Sequence, residues 1–422
     1  MAKPQFLLFL LLFFFLMYQQ SLQQQQQQQQ INAVDLAALH DIRNSLRDLP
    51  HSDFFSTWDF AAPNPCSTFT GLLCSPDPSA SASATPLLRV TSLTLGTGLA
   101  GSSGLMGSIS PALSNLTALT QIILYAGIVS GSIPPQLGTL KNLRVISLTN
   151  NRLSGPIPSS LSTLPNLHTL DLSGNQLGGP VPAGLTGLPS LRVLLLESNQ
   201  LSGEFPNVST QLLHLDLKNN RFSGVLPSLP SSLRYLSMSK NEMWGPLNVL
   251  EPLSELVYLD LSMNWFSGSI PETLFRSTLS SLLLQRNNLS GGVPKTKAVD
   301  ATSYGEGSTV DLSHNLLSGE LSPVLAGVEI LFLNSNRLIG IVPDEYVQSV
   351  LVGSMKTLYL QHNYLSGFPL ESGSPLPDSA SLCLSYNCMI PPVRTMTCPA
   401  NAGGLLSRPA YQCRLVHLGN AD

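Results

Sequence analysis

Four aspartates recur at one position of a repeated motif: Asp171, Asp216, Asp260 and Asp311. Each lies four residues before an asparagine that the motif repeats. Two carboxylates that flank a glycosidic bond can hydrolyse it, one as general acid and the other as base or nucleophile. If each copy forms one strand, these aspartates fall on alternate strands, about 10 Å apart. That is slightly more than an inverting pair requires, and no pattern suggests a pocket that would raise one pKa. We therefore expect a polar binding column and no enzyme activity.

Three histidines are expected on the same face or at its rim: His214, His314 and His362. Histidine changes charge in a mildly acidic medium, which would make binding depend on pH. Surface histidines without a role are the simpler interpretation.

Six cysteines lie at the two ends of the chain, and the repeated region between them has none. Repeat proteins need caps at both ends, and disulfides hold such caps in an oxidising compartment. A zinc site is the competing interpretation, but no histidine sits at ligand spacing among the cysteines. With no glycine-rich phosphate loop either, we expect no metal and no cofactor. The cysteines predicted to form disulfides are Cys66, Cys74, Cys383, Cys388, Cys398 and Cys413.

These residues must be positioned by the motif itself, whose clearest copy is Leu140-x-x-Leu143-x-x-Ile146-x-Leu148-x-x-Asn151-x-Leu153-x-Gly155-x-Ile157-Pro158. The copies follow at steps of 21 to 28 residues, and a period in this range indicates a solenoid. We predict about 12 repeats over residues 86–370. The asparagine position is occupied in turn by Gly127, Asn151, Asn175, Asn199, Asn220, Asn241, Asn264, Asn287, Asn315, Asn336 and Asn363.

Each repeated position has a physical role. The Leu-x-Leu pair alternates inward and outward, as in a short half-buried strand, and one strand per turn stacks into a parallel sheet. A buried aliphatic side chain contributes roughly 1.5–3 kcal/mol, so neighbouring repeats stabilise each other. An inward asparagine can satisfy backbone groups in the turn after the strand. Glycine and proline then turn the chain.

The pattern resembles the plant-type extracellular leucine-rich repeat, whose mark is the Leu-x-Gly-x-Ile-Pro segment. The resemblance covers nearly all of the chain after its N-terminal leader. It implies an α/β solenoid, a leucine-rich-repeat superhelix with a parallel concave β-sheet and disulfide-linked terminal caps. Good copies of the mark are Gly131-Ser-Ile-Pro134, Gly155-Pro-Ile-Pro158, Gly179-Pro-Val-Pro182 and Gly268-Ser-Ile-Pro271.

Residues 34–85 resemble the N-terminal cap of these proteins. The resemblance pairs Cys66 with Cys74, and Phe69 stands between them where the family usually has tryptophan. A helix is expected from about Asp35, a suitable N-cap residue.

Residues 371–422 form a cysteine-rich C-terminal cap or tail, unlike the short paired-cysteine caps of polygalacturonase inhibitors. Its four cysteines allow three connectivities. Cys383–Cys388 with Cys398–Cys413 is the first choice.

The N-terminus has the form of a secretory signal, with Lys3 followed by the apolar run Phe6–Tyr18. We assign residues 1–22 to a signal peptide and residues 23–33 to a glutamine-rich spacer, with an uncleaved anchor as the alternative. No membrane span is expected in the mature chain. A net charge of −4 and no basic stripe argue against nucleic acid. The predicted location is the extracellular space or cell wall.

Three sequons agree with secretion, at Asn115, Asn207 and Asn288. Asn115 and Asn207 are expected on loops or the convex side. Asn288 directly follows a repeat asparagine, nearer the binding edge, and is expected to be the least occupied.

The outward strand positions, four and two residues before each repeat asparagine, are predicted to form the binding face. Aromatic, apolar and arginine residues there are typical interface anchors, and the insertions 295–308 and 344–352 are expected to rim the face. The predicted ligand-binding residues are Ile123, Tyr125, Leu195, Glu197, Asp216, Tyr235, Asp260, Leu283, Arg286, Phe332 and Tyr359.

The sequence therefore predicts a secreted protein that resembles the ectodomain of receptor-like proteins without their kinase or anchor. Its partner would be an extracellular protein or peptide, a receptor kinase among them, or a cell-wall glycan. An inhibitor of wall-degrading glycosidases and a structural wall protein are the alternatives.

Overall fold

The repeated motif folds into successive turns, each with one strand of a parallel main sheet and most with a strand of a second sheet. The computed structural model describes residues 30–77, 87–98, 104–294, 304–371, 375–392 and 397–413. The predicted signal peptide, most of the glutamine-rich spacer and most of the insertion 295–308 lie outside these residues. The chain divides into two units, residues 1–176 and 177–422.

In the first unit, β2 and β3 pair antiparallel, and β3, β5, β7 and β9 continue the main sheet in parallel. The second sheet has the order β1-β4-β6-β8. The strands are β1 (Leu46–Asp48), β2 (Leu72–Pro76), β3 (Leu88–Leu95), β4 (Leu105–Ser108), β5 (Gln121–Leu124), β6 (Ile128–Gly131), β7 (Val145–Ser147), β8 (Arg152–Gly155) and β9 (Thr169–Asp171). The helices are α1 (Ala33–Ser45), α2 (Pro65–Thr68) and the 3-10 helices Phe54–Thr57, Pro111–Asn115, Pro135–Thr139 and Ser159–Thr163.

In the second unit, nine parallel strands form the main sheet, the odd-numbered strands from β11 to β27. The even-numbered strands from β10 to β20 belong to its second sheet, and β22, β24 and β26 form a separate three-stranded sheet. The strands are β10 (Gln176–Gly179), β11 (Val193–Leu195), β12 (Gln200–Glu204), β13 (His214–Asp216), β14 (Arg221–Gly224), β15 (Tyr235–Ser237), β16 (Glu242–Gly245), β17 (Tyr258–Asp260), β18 (Trp265–Gly268), β19 (Ser281–Leu283), β20 (Asn288–Leu289), β21 (Thr309–Asp311), β22 (Ser318–Glu320), β23 (Ile330–Phe332), β24 (Arg337–Ile341), β25 (Thr357–Tyr359), β26 (Tyr364–Gly367) and β27 (Ser381–Cys383). The helices are α3 (Asp344–Leu351) and the 3-10 helices Ala183–Gly187, Asn248–Leu250, Glu272–Leu274, Pro323–Leu325 and Ala400–Ala402.

The asparagines point inward and satisfy the turn, as predicted. The Asn264 amide donates to the carbonyls of Met238, Leu261 and Ser262 at 2.9, 3.2 and 3.2 Å. Its oxygen accepts the Met243 N–H at 3.0 Å. Asn387 makes the same contacts one turn beyond Asn363, so the repeat continues through β27.

The residue before the asparagine has a left-handed backbone in most turns, which the sequence analysis did not predict. Gly174 adopts this conformation with a φ of 66°. Met263, Arg286, His314 and His362 adopt it too, with φ between 56° and 61°. Side chains disfavour this region, so the hydrogen-bonded turn must hold it. It turns these side chains out at the edge of the main sheet.

The N-terminal cap has the predicted Cys66–Cys74 disulfide. Phe69 is buried and stacks on Trp58, with ring centroids 4.9 Å apart. The helix start differs from the prediction: Asn32 is the N-cap residue and accepts the Val34 N–H at 2.9 Å. Asp35 is instead fully buried and bonded to Arg89. Arg89 lies so far along the sequence that no local pattern could predict this contact.

The first-choice connectivity of the C-terminal cysteines is wrong: the disulfides are Cys383–Cys398 and Cys388–Cys413. Cys383 is the last residue of β27, directly after Leu382. The Thr397 N–H donates to the Leu382 carbonyl, and the Leu382 N–H donates to Thr397 Oγ1. This contact brings Cys398 beside Cys383. Cys388 lies beyond the next turn and directly follows Asn387. The Asn387 carbonyl accepts the Arg408 N–H, and this bond brings the segment that ends at Cys413 close to Cys388.

Candidate ligand-binding surface

Three aromatic rings stack across consecutive strands of the second unit's main sheet. His214, Tyr235 and Tyr258 are register partners on β13, β15 and β17. The His214 and Tyr235 ring centroids are 4.0 Å apart, and the Tyr235 and Tyr258 rings are 4.4 Å apart and tilted by only 3°. We call these residues the aromatic stack. All three are half-buried, so each keeps part of its ring open to a ligand.

Charged groups lie beside the stack, and we call them the acidic group: Glu197, Asp216, Asp260 and Lys218. Lys218 Nζ lies 2.7 Å from Glu197 Oε2 and 3.7 Å from Asp216 Oδ2. Although they lie on the outward side of the sheet, Asp216 and Asp260 are only 5% and 9% exposed. With three carboxylates against one ammonium, the group favours a cationic ligand.

Burial and neighbouring charges change the proton affinities of this surface. Burial raises the pKa of Asp216 to about 6, and the nearby Glu197 carboxylate adds to the shift. Burial alone would raise the pKa of Glu197, but its hydrogen bonds with Lys218 and Asp216 bring that pKa below its ordinary value. Burial lowers the pKa of His214 and raises that of Tyr235 and Tyr258. At neutral pH the rings are therefore uncharged and the carboxylates carry the negative charge.

The raised Asp216 pKa predicts how stability depends on pH. Since the pKa is about 6 when folded and 3.8 ordinarily, this group's contribution to stability is present below about pH 4 and is lost as pH rises through 6. Asp216→Asn should therefore raise the free energy of unfolding at pH 7.5 by about 1–2 kcal/mol, less than the full shift implies because solvent screens the group. Urea unfolding of both proteins at pH 7.5 measures the gain. The same comparison at pH 4 is the control, and an equal gain at both pH values would contradict the assignment.

The aspartate column has a backbone role in both units. Asp171 accepts the Ser173 N–H at 3.1 Å in the first unit. In the second, Asp260 and Asp311 accept the N–H groups of Ser262 and Ser313 at 3.0 and 2.9 Å. Each carboxylate therefore caps the end of its own strand. This backbone role is sufficient to explain why aspartate recurs at this position.

The predicted binding residues fall into separate groups. Ile123 and Tyr125 belong to the first unit, where Tyr125 is 38% exposed and its ring lies against Gly98. In the second unit one register column of the main sheet, which also holds Ser237 and Asp311, carries Leu195, Asp216, Asp260, Leu283, Phe332 and Tyr359.

Two of these residues have additional contacts. The Tyr359 hydroxyl donates to the Thr397 carbonyl at 3.0 Å, so the C-terminal cap uses it. Phe332 packs edge-on against Tyr359, with centroids 5.2 Å apart. The structure thus brings Glu197, Asp216, Tyr235 and Asp260 together, while Phe332 and Tyr359 lie beside the cap.

Sequence reasoning missed Tyr258. It stands six residues before Asn264, whereas the outward positions considered were four and two residues before each repeat asparagine. Tyr235 and His214 occupy the same sixth position in their repeats. Extending the alternation by one step would have found the whole aromatic stack.

The comparisons with known proteins agree with this geometry. Family models described as leucine-rich repeat match residues 141–201, 211–233 and 255–277. No curated protein matches the chain. Among solved structures, PEPR1 in complex with AtPEP1 is 28% identical, with a TM-score of 0.62 over 79% of this chain and 49% of that chain. The Arabidopsis receptor kinase HAESA, solved with the peptide hormone IDA and the co-receptor SERK1, is 29% identical, with a TM-score of 0.57 over 67% of this chain and 52% of that chain.

A plant ice-binding protein is 27% identical, with a TM-score of 0.55, and the match covers 81% of this chain and 98% of that chain. The chain thus spans about half the length of the receptor chains and nearly all of the ice-binding protein. The fold is a leucine-rich-repeat solenoid with disulfide-linked caps, and models of the leucine-rich repeat match part of it. It is similar both to plant receptor ectodomains and to a plant ice-binding protein. None of the helices within the described residues has the length and apolar composition to cross a membrane.

Proposed function

We propose that this protein binds an extended extracellular peptide on the outward face of the second unit's main sheet. The observation that carries the proposal is the aromatic stack beside the acidic group. On the next two strands of the stack's own column the positions are small, Ser281 and Thr309. Three stacked rings beside buried carboxylates are more than a solvated sheet requires, and they form a platform for a side chain.

The charges of the surface indicate the class of peptide. A guanidinium or ammonium group can lie over a tyrosine ring while a carboxylate bonds to it. Tyr235 and Tyr258 supply the rings, and Asp216, Asp260 and Glu197 supply the negative charge. The peptide therefore presents an arginine or lysine to the aromatic stack.

The comparisons support a peptide ligand because PEPR1 and HAESA are solved with AtPEP1 and IDA. HAESA is also solved with a co-receptor, which supports a membrane receptor kinase as a further partner of this chain. The three disulfides support secretion into an oxidising extracellular space.

Alanine at the stack should weaken binding strongly. Tyr235→Ala and Tyr258→Ala should each lower affinity about tenfold, and the double variant about a hundredfold, since each removes an aromatic anchor worth roughly 1.4 kcal/mol or more. A displayed library of extended random peptides, panned against the full chain, supplies the ligand. Enriched peptides should share one arginine or lysine, and their dissociation constants are then measured against each variant.

The matched control is Tyr411→Ala, which removes a tyrosine that is 66% exposed on the C-terminal cap. It should leave affinity unchanged. Enriched peptides without a common basic residue, or peptides that bind the double variant as well as the parent, would refute the proposal. Recovery of a polygalacturonase from wall extract, with loss of its activity, would favour the glycosidase-inhibitor alternative instead.

The ice-binding protein makes ice binding a second candidate, because the match covers 98% of that chain. A regular row of small hydroxyl side chains would suit an ice lattice. Ser202, Ser223 and Ser267 share one repeat position but form no such row on the second sheet, because their register partners are Arg221, Glu242 and Asn288. We therefore expect no thermal hysteresis in solutions of the protein. A clear difference between the melting and freezing points of ice in such a solution would establish the second candidate.

A further inference from the structure

Two neighbouring tryptophans are exposed on the second sheet of the second unit. Trp244 and Trp265 are register partners on the parallel strands β16 and β18, and they are 54% and 67% exposed. Register partners in a parallel sheet point to the same side. Met263, which is 43% exposed, lies near Trp265. A cluster of large apolar side chains like this marks an interaction site.

A groove of about 760 Å³ adjoins Trp265 and combines aromatic and polar walls. Glu242, Arg286 and Asn288 line it together with Trp265. A pyranose ring has one face of C–H groups that packs on an indole and a rim of hydroxyl groups that need hydrogen-bond partners. Carboxylate, guanidinium and amide groups are such partners. The groove therefore suits a saccharide.

The sequon Asn288-Leu289-Ser290 places a saccharide attachment point in the same groove. Asn288 is exposed on β20 and is the register partner of Ser267 on β18. Trp265 lies two residues before Ser267 and so faces the same side. With ordinary strand spacing, the Cα of Asn288 is roughly 8 Å from that of Trp265 and roughly 12 Å from that of Trp244. Both indoles are within reach of the first sugars attached to Asn288.

We propose that Asn288 carries an N-linked glycan whose first N-acetylglucosamine residues fold back over Trp265 and Trp244. The Asn288 amide nitrogen displaces the diphosphate of a lipid-linked oligosaccharide. An N-glycosidic C–N bond forms, the sugar–phosphate C–O bond breaks, and the amide proton leaves with the lipid diphosphate. The modification requires entry into the secretory pathway but does not depend on peptide binding by the main sheet.

The attached glycan is favoured over a free saccharide because of its tether. A ligand held by a short linker has an effective concentration in the millimolar range. Stacking on two exposed indoles is a weak interaction. A tethered sugar can keep it without other contacts, because the tether holds the sugar at a high local concentration. A free oligosaccharide would need several more contacts to match it in this shallow groove.

Tryptophan fluorescence reports directly on this arrangement. The chain has only three tryptophans, and Trp58 is 5% exposed in the N-terminal cap. Quenching by acrylamide therefore measures almost only Trp244 and Trp265.

The full chain is secreted from a glycosylating host behind a strong secretion signal, and the glycopeptides are mapped by mass spectrometry. Asn288 should be occupied, which reverses the expectation from the sequence that it is the least occupied sequon. Ser290→Ala, which removes the sequon and keeps Asn288, should raise the quenching constant at least twofold.

Matched controls are Asn115→Gln and Asn207→Gln, which remove the other two sequons and should leave quenching unchanged. An unmodified Asn288 in the secreted protein would overturn the proposal. So would a quenching constant that does not change when the Asn288 glycan is lost. Protection of the tryptophans by added wall oligosaccharides in the fully glycosylated protein would show that the groove binds a free saccharide, and would overturn it as well.

Discussion

Asn264→Ala is expected to lower the free energy of unfolding of the second unit by about 3–5 kcal/mol. Asn264 is 6% exposed, and its side chain makes three hydrogen bonds to carbonyls and accepts one from the Met243 N–H. Alanine leaves these backbone groups buried without partners, and each unsatisfied group costs about 1–3 kcal/mol. Urea unfolding followed by circular dichroism measures the loss.

The control for this prediction is Asn248→Ala, because Asn248 is an exposed asparagine in the same unit. It should change stability by no more than about 0.5 kcal/mol. Asn264→Asp is a sharper comparison, because it keeps the acceptor but places a carboxylate opposite three carbonyl oxygens. It should destabilise at least as much as alanine. A loss below about 1 kcal/mol in both Asn264 variants would mean that water replaces the side chain.

Asp35→Ala should destabilise the N-terminal cap by about 3–5 kcal/mol, because it leaves the mostly buried Arg89 charge with only the longer contact to Asp77, at 3.4 Å. Asp35 is fully buried; its two oxygens accept Arg89 Nε at 3.0 Å and Nη2 at 3.1 Å, and one also accepts the Val90 N–H at 2.8 Å. The hydrogen bonds that Arg89 donates to Asp35 are the main reason that the pKa of Arg89 is raised. Hydrogen exchange of the amides in α1 and β3 measures the loss.

The matched control is Asp41→Ala, which removes an exposed aspartate of the same helix and should leave exchange in α1 nearly unchanged. The double variant Asp35→Ala with Arg89→Met removes both charges and should recover part of the lost stability. Recovery is the decisive result. If the double variant were as unstable as the sum of the two single variants, the ion pair would not be the source of the effect.

The sequence predicted the frame of the molecule from local features. Leu148, Asn151 and Gly155 recur with one spacing, and each repeat asparagine bonds its own turn and the turn before it. The parallel main sheet, the inward asparagines and the Cys66–Cys74 disulfide are all confirmed. Cys66 and Cys74 are eight residues apart, so this disulfide too is local.

The candidate binding surface could be predicted only in part. Glu197, Asp216, Tyr235 and Asp260 were expected on one face, yet their burial and their mutual contacts were not. His214, Tyr235 and Tyr258 are 21 and 23 residues apart in the sequence, and insertions vary the repeat length. Which rings stack therefore depends on strand register.

By itself, the sequence determined that this chain is a leucine-rich-repeat solenoid with a cap at each end, because a repeated pattern of buried aliphatic residues and turn-forming asparagines has one economical way to fold. Only the tertiary structure decided which outward side chains meet. It set the raised pKa of Asp216, the pairing of Cys383 with Cys398, the burial of Asp35 against Arg89, and the position of Asn288 near two exposed tryptophans. Each of these is a contact in space between residues distant in the chain, and local periodicity carries no information about such contacts.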